Sequence, residues 1–599
     1  MHYIPPSKWQ PTNDIQLTSE QDDVLKITDS NIAVIAGPGT GKTEVLAQKA
    51  TYLLQTGICP SPFRILALSY KVDAASNIRE RVKKRCPKDL AYRFSSMTVD
   101  AFIISLIRRF ASSLPDWLKI SRDFEIVNKI DSANYLQSTH ASSFPDEYLK
   151  DVSILRNNVS DGTKQFFLYA AEKNIFDYCM YHTMAYYIVN NNPNIRKLIS
   201  MTYKYIFWDE FQDMTERHYK ILKCIFNDPY NKICAVGDDK QAIMAWAGAI
   251  PDIFSKFRQD FLARPCSFTY NYRSSQQIVQ FINTVVFKLT PEGHQPIQYN
   301  CPNYIQNQNS FIAAQSFNSL EDEATYIAKC INKILEENKA LVPCDCAIIL
   351  KQKTSDYLRF TKKTFTEHGI LVRNEDEEVC KKGLRYQDLM VDNFSKLIIG
   401  LFKLKIKTIS LVEQKELFYI LSNILSLDLE KSRDLRKLHN IINNIIRINF
   451  NDTQEWLKQL LYILPEINIQ NKLYMNRKEF ETARLSISEL LRRCFDNNGH
   501  NLELAINEYL GINFVKLMTT HKSKGLEFDT VFFADFRENS WWPLTKSQTD
   551  KEEALRCFFV GLSRAKTRLF FTSPANLYPQ EIAEILNNSN MVIQYNPDD

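Results

Sequence analysis

The feature that most constrains the fold is an apolar run that leads into a glycine-rich loop near the N-terminus. The run Ile32–Ile35 is followed by Ala36, Gly37, Pro38, Gly39, Thr40, Gly41, Lys42 and Thr43. Such a segment is typical of a β-strand, a loop whose backbone N–H groups close on phosphate oxygens, and the start of a helix. The strict pattern has Gly where this chain has Ala36. The segment predicts a bound nucleoside triphosphate, with Lys42 reaching the β- and γ-phosphates and Thr43 holding Mg²⁺.

The composition indicates a soluble chain of several domains. Its 599 residues are 45% hydrophobic and 24% charged, a length that suffices for roughly three to five domains. The net charge of +5 permits a nucleic-acid partner but does not require one. The 13 cysteines include no Cys-x-x-Cys pair, which argues against zinc and iron–sulfur sites. Because neither a signal pattern nor a membrane-spanning apolar run is found, we expect a cytoplasmic protein with no membrane partner.

Short apolar runs that end in polar turns alternate with helical patterns along much of the chain. The predicted strands are Ile32–Ile35, Ile65–Ser69, Tyr205–Trp208, Ile233–Val236, Cys346–Leu350, Phe514–Met518 and Thr530–Ala534. This alternation is typical of an α/β fold with parallel sheets and crossover helices. Two stretches with only helical periodicity interrupt it. We therefore predict a first α/β domain at 1–102 and 199–270 with a helical insertion at 103–198, and a second at 271–385 and 511–599 with a helical insertion at 386–510.

A pair of adjacent carboxylates follows the predicted strand Tyr205–Trp208. Asp209 and Glu210 stand there, with Gln212 and Asp213 after them. In a nucleotide hydrolase with a phosphate-binding loop, one such carboxylate holds Mg²⁺ and a second acts on the attacking water. We assign Asp209 to Mg²⁺ and Glu210 to the water. An acidic turn at a strand end is the alternative, and the additional Gln212 and Asp213 argue against it.

These motifs, taken in order, resemble those of the UvrD/Rep/PcrA helicases of superfamily 1 along nearly the whole chain. The resemblance implies two RecA-like P-loop NTPase domains, each carrying a mainly α-helical insertion. Leu17–Gln21 is similar to the adenine-reading segment of the family, in which Gln21 matches the glutamine that recognises the base. Ile65–Tyr70 resembles the first DNA-contacting motif, and Tyr70 matches its aromatic contact.

Val236–Gln241 and the following Trp246 resemble the motif that joins the γ-phosphate to the DNA. The resemblance implies that Gln241 senses the phosphate and that Trp246 stacks on a base. Stacking suits a protein that ignores sequence, because every base has a π-face. A packed core aromatic is the alternative for Trp246.

Three further motifs complete the resemblance. Asn271–Ser275 is similar to the segment in which Tyr272 stacks on adenine and Arg273 touches the γ-phosphate. Phe559–Ala565 resembles the last motif of the family and makes Arg564 the arginine finger.

The segment Leu517–Phe528 is the remaining motif, and after the phosphate loop it matches the family pattern most closely. By the same resemblance, His521 and Lys524 lie near DNA and Glu527 lies near the nucleotide sugar.

The chain departs from the family pattern mainly in the DNA-contacting motifs. Met244 and Ala247 stand where the family has an aromatic residue and an arginine. The Thr-x-His segment of the family reads Thr98, Val99 and Asp100 here. Thr98 is retained as a predicted DNA contact, whereas Asp100 would repel phosphate if it pointed toward the DNA. The second insertion is also short and lacks the Gly-Ile-Gly duplex-binding signature of the family.

The leading hypothesis is an ATP- and Mg²⁺-dependent helicase that moves 3′ to 5′ on single-stranded DNA and acts at junctions of single- and double-stranded DNA. The polarity comes from the resemblance alone. The alternative is a UvrD-like DNA-sensing ATPase subunit that works with a separate nuclease in a phage-defence complex of the Gabija type. An ATP-binding scaffold without turnover is a third reading. All of the predicted catalytic residues are present, which argues against this last reading. They are Lys42, Asp209, Glu210, Gln241, Arg273 and Arg564.

Overall fold

A computed structural model describes the chain except for residues 1–2, 13–14, 142, 157–158, 292, 294, 303–309, 430, 450–451, 475–476, 500, 576–577 and 599. The chain divides into two compact units, residues 1–306 and 307–599. Each unit contains one large parallel sheet, which confirms the predicted α/β class. Among the described residues, no helix is both long enough and apolar enough to cross a membrane.

The first unit is a parallel sheet covered by helices on both faces. Its described helices are α1 Ser19–Lys26, α2 Lys42–Gln55, α3 Val72–Arg85, α4 Lys88–Ala91, α5 Val99–Phe110, α6 Ser132–Thr139, α7 Glu147–Lys150, α8 Asp161–Lys173, α9 Tyr178–Asn191, α10 Pro193–Thr202, α11 Glu216–Phe226, α12 Ile253–Phe261 and α13 Gln276–Leu289. Its described strands are β1 Ile32–Ala36, β2 Arg64–Ser69, β3 Phe94–Thr98, β4 Glu125–Val127, β5 Ile175–Asp177, β6 Tyr203–Trp208, β7 Lys232–Gly237 and β8 Arg264–Phe268. The sheet order is β3-β2-β6-β7-β1-β8, and β4 pairs with β5 separately.

The sequence of β1 explains why the sheet needs helices on both faces. Ala33 packs into a core on one face, while Ile32, Val34 and Ala36 pack into a core on the other. Successive side chains of a strand point to opposite faces, so a strand buried on both sides reads as a continuous apolar run. The first helical insertion shares the core that contains Ala33 and has no separate core in the described residues.

The second unit repeats this architecture with a longer sheet. Its described helices are α14 Leu320–Glu337, α15 Thr354–Glu367, α16 Tyr386–Val391, α17 Asn393–Lys405, α18 Leu411–Leu425, α19 Ser432–Arg447, α20 Thr453–Ile463, α21 Glu466–Leu473, α22 Arg477–Asn497, α23 Leu502–Leu510, α24 Thr520–Ser523, α25 Gln548–Leu562 and α26 Gln580–Asn587. Its described strands are β9 Phe311–Ser316, β10 Cys346–Leu350, β11 Val372–Asn374, β12 Val515–Thr519, β13 Phe528–Phe533, β14 Ala565–Ser573 and β15 Val592–Ile593. The sheet order is β11-β12-β10-β13-β14-β9-β15.

Helices α16 to α23 correspond to the predicted second insertion. They bury a core of their own, which runs from Val379 to Tyr509 and contains mainly leucine, isoleucine and phenylalanine. This insertion therefore packs as a separate helical layer within its unit, in contrast to the first insertion.

The division between the units falls later in the chain than the predicted domain boundary after residue 270. The segment after β8 is bonded to the phosphate loop of its own unit, because the Tyr272 N–H donates to the carbonyl oxygen of Gly39 at 2.8 Å. The Asn271 N–H donates to the carbonyl oxygen of Asn300, also at 2.8 Å. The described residues from Asn271 to Asn300 thus pack with the first unit, and the predicted domain limits stay a prediction.

Candidate active site

The predicted nucleotide-binding residues of the first unit lie at the carboxyl ends of neighbouring parallel strands. The phosphate loop follows β1, Asp209 follows β6, Asp238 follows β7 and Asn271 follows β8. These four strands are adjacent in the order β6-β7-β1-β8. Ligands of open α/β sheets bind at this edge. The fold therefore brings together motifs that are up to about 230 residues apart in sequence.

The phosphate loop needs its glycines for conformation and for space. Gly39 and Gly41 have φ angles of 67° and 79°, in the left-handed region. A Cβ atom on Gly39 would stand 2.7 Å from both Asn271 Oδ1 and Arg273 Cβ. Lys42 Nζ donates to the carbonyl oxygens of Ala36 at 3.0 Å and of Gly37 at 3.3 Å. In this structure Lys42 therefore stabilises the phosphate loop through hydrogen bonds to its backbone.

Gln21 joins helix α1 to the phosphate loop. Its Nε2 donates to the carbonyl oxygen of Thr40 at 2.9 Å, and its Oε1 accepts from the Thr18 N–H at 3.1 Å. The Thr18 hydroxyl in turn accepts from the Gln21 N–H, which completes a capping box at the start of α1. The structure thus gives Gln21 a role in positioning the loop, and its adenine-reading role stays a prediction.

Asp209 has the properties of a metal ligand. It is buried, and its Oδ1 has no hydrogen-bond partner among the described residues. Burial and the adjacent Glu210 raise the pKa of Asp209 to about 7, although Lys42 opposes the shift. A divalent cation would supply the missing partner and the missing positive charge, and Mg²⁺ prefers such oxygen ligands. Asp209 therefore fits Mg²⁺, and Thr43 lies half-buried in the first turn of α2.

A chain of hydrogen bonds links Glu210 to the motif that follows β7. Glu210 has a φ of 50°, an uncommon conformation for a non-glycine residue that is often found at functional sites. Its Oε2 accepts from Gln212 Nε2 at 2.6 Å, and Gln212 Oε1 accepts from the Asp238 N–H at 3.0 Å. Asp238 Oδ2 then accepts from Gln241 Nε2 at 2.8 Å. The predicted water-activating and phosphate-sensing residues are thereby coupled through Gln212 and Asp238.

Trp246 lies on the surface of the first unit, in the short helical turn Ala245–Ala247. It is 71% exposed, so the alternative of a packed core aromatic is wrong. Exposing a large aromatic side chain has no benefit for folding, whereas a base could stack on it. Only four residues separate Trp246 from Gln241.

The Asn271–Ser274 segment forms a turn that rests on the phosphate loop. Asn271 Oδ1 accepts from the N–H groups of Arg273 at 2.8 Å and of Ser274 at 2.9 Å. Tyr272 and Arg273 are half-buried beside this turn. The structure therefore places both residues next to the predicted nucleotide site, while their contacts with the nucleotide stay predictions.

Arg564 is held by its own unit in this structure. Its guanidinium group donates to the carbonyl oxygens of Val560 at 2.8 Å and Leu526 at 3.2 Å, and to Ser563 Oγ at 2.6 Å. An arginine finger must direct these donors to phosphate. The predicted role therefore requires that Arg564 exchange some of these bonds.

The other predicted residues of the second unit lie on or beside the short helix α24. His521 Nε2 is 3.9 Å from Cys557 Sγ, and Lys524 is buried at the end of the helix. Glu527 forms an ion pair with Lys566 at 2.7 Å. None of these contacts tests the predicted roles at DNA and at the nucleotide sugar.

Tyr70 follows β2, and Thr98 is the last residue of the neighbouring strand β3 in the first unit. Burial, with Asp213 and Asp100 nearby, raises the pKa of Tyr70, so its ring is neutral at ordinary pH. The Thr98 hydroxyl accepts from the Ala101 N–H at 3.1 Å and caps helix α5. Thr98 therefore has a structural role, and its DNA contact stays a prediction.

Asp100 does not present a free carboxylate to phosphate. Its Oδ1 accepts from the Tyr181 hydroxyl at 2.5 Å and lies 2.9 Å from His218 Nε2 and 3.3 Å from His182 Nε2. The repulsion expected from the sequence depended on the direction of this side chain. The structure instead uses Asp100 to join α5, α9 and α11.

This triad has the composition of a metal site but the geometry of a hydrogen-bond network. The ligand-type atoms of Asp100, His182 and His218 lie within 4.8 Å of one another. Metal-bound histidines almost always donate from the second ring nitrogen, yet Nδ1 of both histidines lacks a partner among the described residues. Direct donation from the Nε2 atoms to Asp100 therefore accounts better for the arrangement.

Sequence reasoning missed several residues of this region. Gln212 and Asp238 stand in the motifs that were identified, but only their contacts show that they connect Glu210 to Gln241. His182 and His218 belong to no motif and lie on helices far apart in sequence, so no sequence signal marks them as partners of Asp100.

Comparison with known proteins agrees with this arrangement. Residues 17–167 and 142–262 match the UvrD/REP helicase N-terminal domain, and residues 376–576 match the UvrD-like helicase C-terminal domain. The chain belongs to the UvrD-like helicases of superfamily 1. Members of this family are DNA-dependent ATPases and helicases with two RecA-like domains, which confirms the predicted enzyme class and fold.

Similar proteins cover most of the chain. A probable DNA helicase II homolog of Mycoplasma pneumoniae is 24% identical over 96% of this chain and 86% of its own length. The ATP-dependent DNA helicase PcrA of Staphylococcus epidermidis is 25% identical over 93% of this chain and 83% of its own. The ATP-dependent DNA helicase Rep of Buchnera aphidicola is 24% identical over 93% of both chains. None of these relatives supports the alternative of a defence subunit with a separate nuclease.

Proposed function

We propose that this UvrD-like helicase uses ATP and Mg²⁺ to move 3′ to 5′ on single-stranded DNA and to separate strands at junctions with duplex DNA. The observation that carries the proposal is the hydrogen-bond chain from Glu210 to Gln241, which ends five residues before the exposed Trp246. It offers a physical route from the phosphate to the DNA. The direction of movement is supported by the family resemblance alone.

In the proposed reaction, Lys42 exchanges its bonds to Ala36 and Gly37 for bonds to phosphate oxygens. Asp209 and Thr43 hold Mg²⁺, which neutralises phosphate charge when bound. Glu210 orients the attacking water and takes up its proton. Loss of the terminal phosphate then changes the bonding of Gln241 and, through the short loop after it, the position of Trp246.

Arg273 and Arg564 complete the proposed site by stabilising negative charge on the transferring phosphoryl group. Fixed donors aimed at developing charge are among the largest contributions to catalysis. Tyr272 and Gln21 are the proposed contacts of adenine, and Glu527 is the proposed contact of the sugar. Tyr70, Thr98, Trp246, His521 and Lys524 are the proposed DNA contacts.

The test is steady-state ATP hydrolysis by the purified chain without nucleic acid, with single-stranded DNA, and with duplexes that carry a 3′ or a 5′ tail. Strand separation is followed in the same samples. We expect stimulation by single strands and unwinding from 3′ tails. Unwinding from 5′ tails would refute the polarity, and DNA-independent hydrolysis without unwinding would refute the helicase proposal.

Two variants identify the residues responsible. Lys42→Ala should abolish hydrolysis, and a normal rate would refute the phosphate-binding role. Trp246→Ala should weaken stimulation by DNA while leaving the rate without DNA unchanged, because a base stack contributes about 1–3 kcal/mol. Phe287→Ala is the matched control, since Phe287 is also an exposed aromatic of the first unit, on α13. Equal DNA stimulation in Trp246→Ala and Phe287→Ala would refute the stacking role.

A further inference from the structure

Tyr299 is a buried tyrosine that packs directly on the phosphate loop, although it lies about 260 residues from the loop in sequence. A Cβ atom added to Gly37 would stand 2.2 Å from Cε1 and 2.8 Å from the hydroxyl oxygen of Tyr299. The ring therefore occupies the space that any larger residue at position 37 would need. Tyr299 is only 2% exposed.

The backbone of Tyr299 is fixed by bonds on both sides. Its N–H donates to Asn283 Oδ1 at 2.8 Å, and its carbonyl oxygen accepts from Asn283 Nδ2 at 2.9 Å. The next residue, Asn300, donates to the carbonyl oxygen of Thr269 and accepts from the Asn271 N–H, both at 2.8 Å. These bonds attach Tyr299 to α13 and to the segment after β8, so the ring is held in place beside the loop.

The hydroxyl group of Tyr299 has no hydrogen-bond partner among the described residues. A buried polar group without a partner costs free energy, and each such group in a native protein calls for a physical explanation. Burial, together with the nearby carboxylates of Asp238 and Asp239, raises the pKa of Tyr299 well above its ordinary value. The hydroxyl therefore keeps its proton and remains available as a donor.

The position of this hydroxyl suggests which acceptor it serves. It lies beside Gly37 of the phosphate loop and near Asp238, whose carboxylate accepts from the predicted phosphate sensor Gln241. An acceptor that arrives only with the nucleotide would satisfy the hydroxyl. We propose that Tyr299 is a further nucleotide-binding residue, whose hydroxyl donates a hydrogen bond to an oxygen of the terminal phosphate of bound ATP.

This inference rests on the proposed function and is tested by binding rather than by turnover. The affinities of the whole chain for ADP and for a non-hydrolysable β,γ-imido analogue of ATP are measured with Mg²⁺ for the wild type and for Tyr299→Phe. Loss of a hydrogen bond to a charged acceptor should weaken binding of the triphosphate analogue by about tenfold or more, while ADP binding changes less than about twofold.

Tyr135→Phe is the matched control. Tyr135 is also fully buried in the first unit, and its hydroxyl also lacks a partner among the described residues, but it lies on α6 within the helical insertion. We expect Tyr135→Phe to bind both nucleotides as the wild type does. The thermal midpoint without nucleotide shows that each variant folds, and removal of an unpaired buried hydroxyl should leave this midpoint unchanged or raise it.

The possible outcomes separate the inference from the proposed function. Unchanged binding of both nucleotides by Tyr299→Phe would overturn the inference. An equal loss for ADP and for the analogue would also overturn it, because the ring would then act on the loop rather than on the terminal phosphate. If the wild type and Tyr135→Phe bound neither nucleotide, the proposed function itself would fail.

Discussion

Acidification should lower the free energy needed to open helix α9 within the first unit, because a buried histidine on that helix resists protonation. His182 is 6% exposed and contacts both Asp100 of α5 and the ring of His218 of α11. Burial lowers the pKa of His182 to about 4, although its hydrogen bond to Asp100 opposes the shift. In the unfolded chain the same side chain titrates near 6.5. His182 therefore binds a proton more readily when α9 is unfolded and exposed to water than when the chain is folded.

The magnitude follows from the difference between these two pKa values. Each unit of difference corresponds to about 1.4 kcal/mol once the pH lies between them. Because the folded pKa is depressed, the stabilisation is complete above pH 6.5 and is lost as the pH falls toward 4. Between pH 7 and pH 4.5 the loss amounts to about 2 to 3 kcal/mol. Asp100 contributes little to the pH dependence of stability in this range. Burial alone would raise its pKa, but hydrogen bonds from both histidines keep the pKa of Asp100 below its usual value.

Hydrogen–deuterium exchange of peptides from residues 178–191 measures the opening of α9 separately from the rest of the chain. After correction for intrinsic exchange, the opening free energy of the wild type should fall by about 2 to 3 kcal/mol more than that of His182→Gln between pH 7 and pH 4.5. Glutamine keeps a donor near the position of Nε2 but does not titrate. His439→Gln, at an exposed position of α19, should behave as the wild type does. The reasoning is refuted if the wild type and His182→Gln show the same pH dependence.

Three further predictions concern the active site. Glu210→Gln should retain ATP and DNA together without hydrolysis, as measured by co-retention on a filter, and rapid hydrolysis would mean that another base acts. Arg564→Ala should lower kcat for ATP by about 10³-fold or more, and a change confined to nucleotide affinity would argue against an arginine finger. Gly237→Ala should strongly reduce DNA-stimulated hydrolysis, because the new Cβ would stand 2.2 Å from Gln212 Oε1 and 2.9 Å from the Phe211 backbone nitrogen, and would displace the Gln212 segment. Gly162→Ala, which meets nothing within 4 Å, is the control, and equal activity of the two variants would contradict the role of Gln212.

The strands that carry the motifs could be predicted because they are buried on both faces. β1, β2, β6 and β7 are interior strands of the first sheet and read as apolar runs. The edge strands β3 and β8 were not predicted. Their sequences, Phe94–Thr98 and Arg264–Phe268, are rich in polar residues or contain proline, and proline within a sheet is confined mainly to edge strands.

The candidate site could be predicted to the extent that it depends on local sequence. Spacing alone marks the phosphate loop, because its backbone conformation requires Gly39 and Gly41 at fixed positions. Contacts made by the fold leave no such mark. Tyr299 belongs to no motif, and its contact with Gly37 exists only because the chain returns to the loop after β8. The same limit applies to the predicted DNA contacts. Whether each of these side chains can reach DNA depends on its burial in the fold, which the local sequence does not show.

Two of the departures from the family pattern, both in DNA-contacting motifs, differ in their physical consequences. Asp100 replaces a histidine, but its charge is met by donors on α9 and α11, so the change is absorbed within the fold. Met244 and Ala247, in contrast, lie half-buried on either side of the exposed Trp246 in sequence, and neither supplies an aromatic ring or a positive charge. DNA binding at this edge should therefore depend more heavily on Trp246 itself. A large loss of DNA stimulation in Trp246→Ala would support this reasoning, and a loss no greater than that of Phe287→Ala would contradict it.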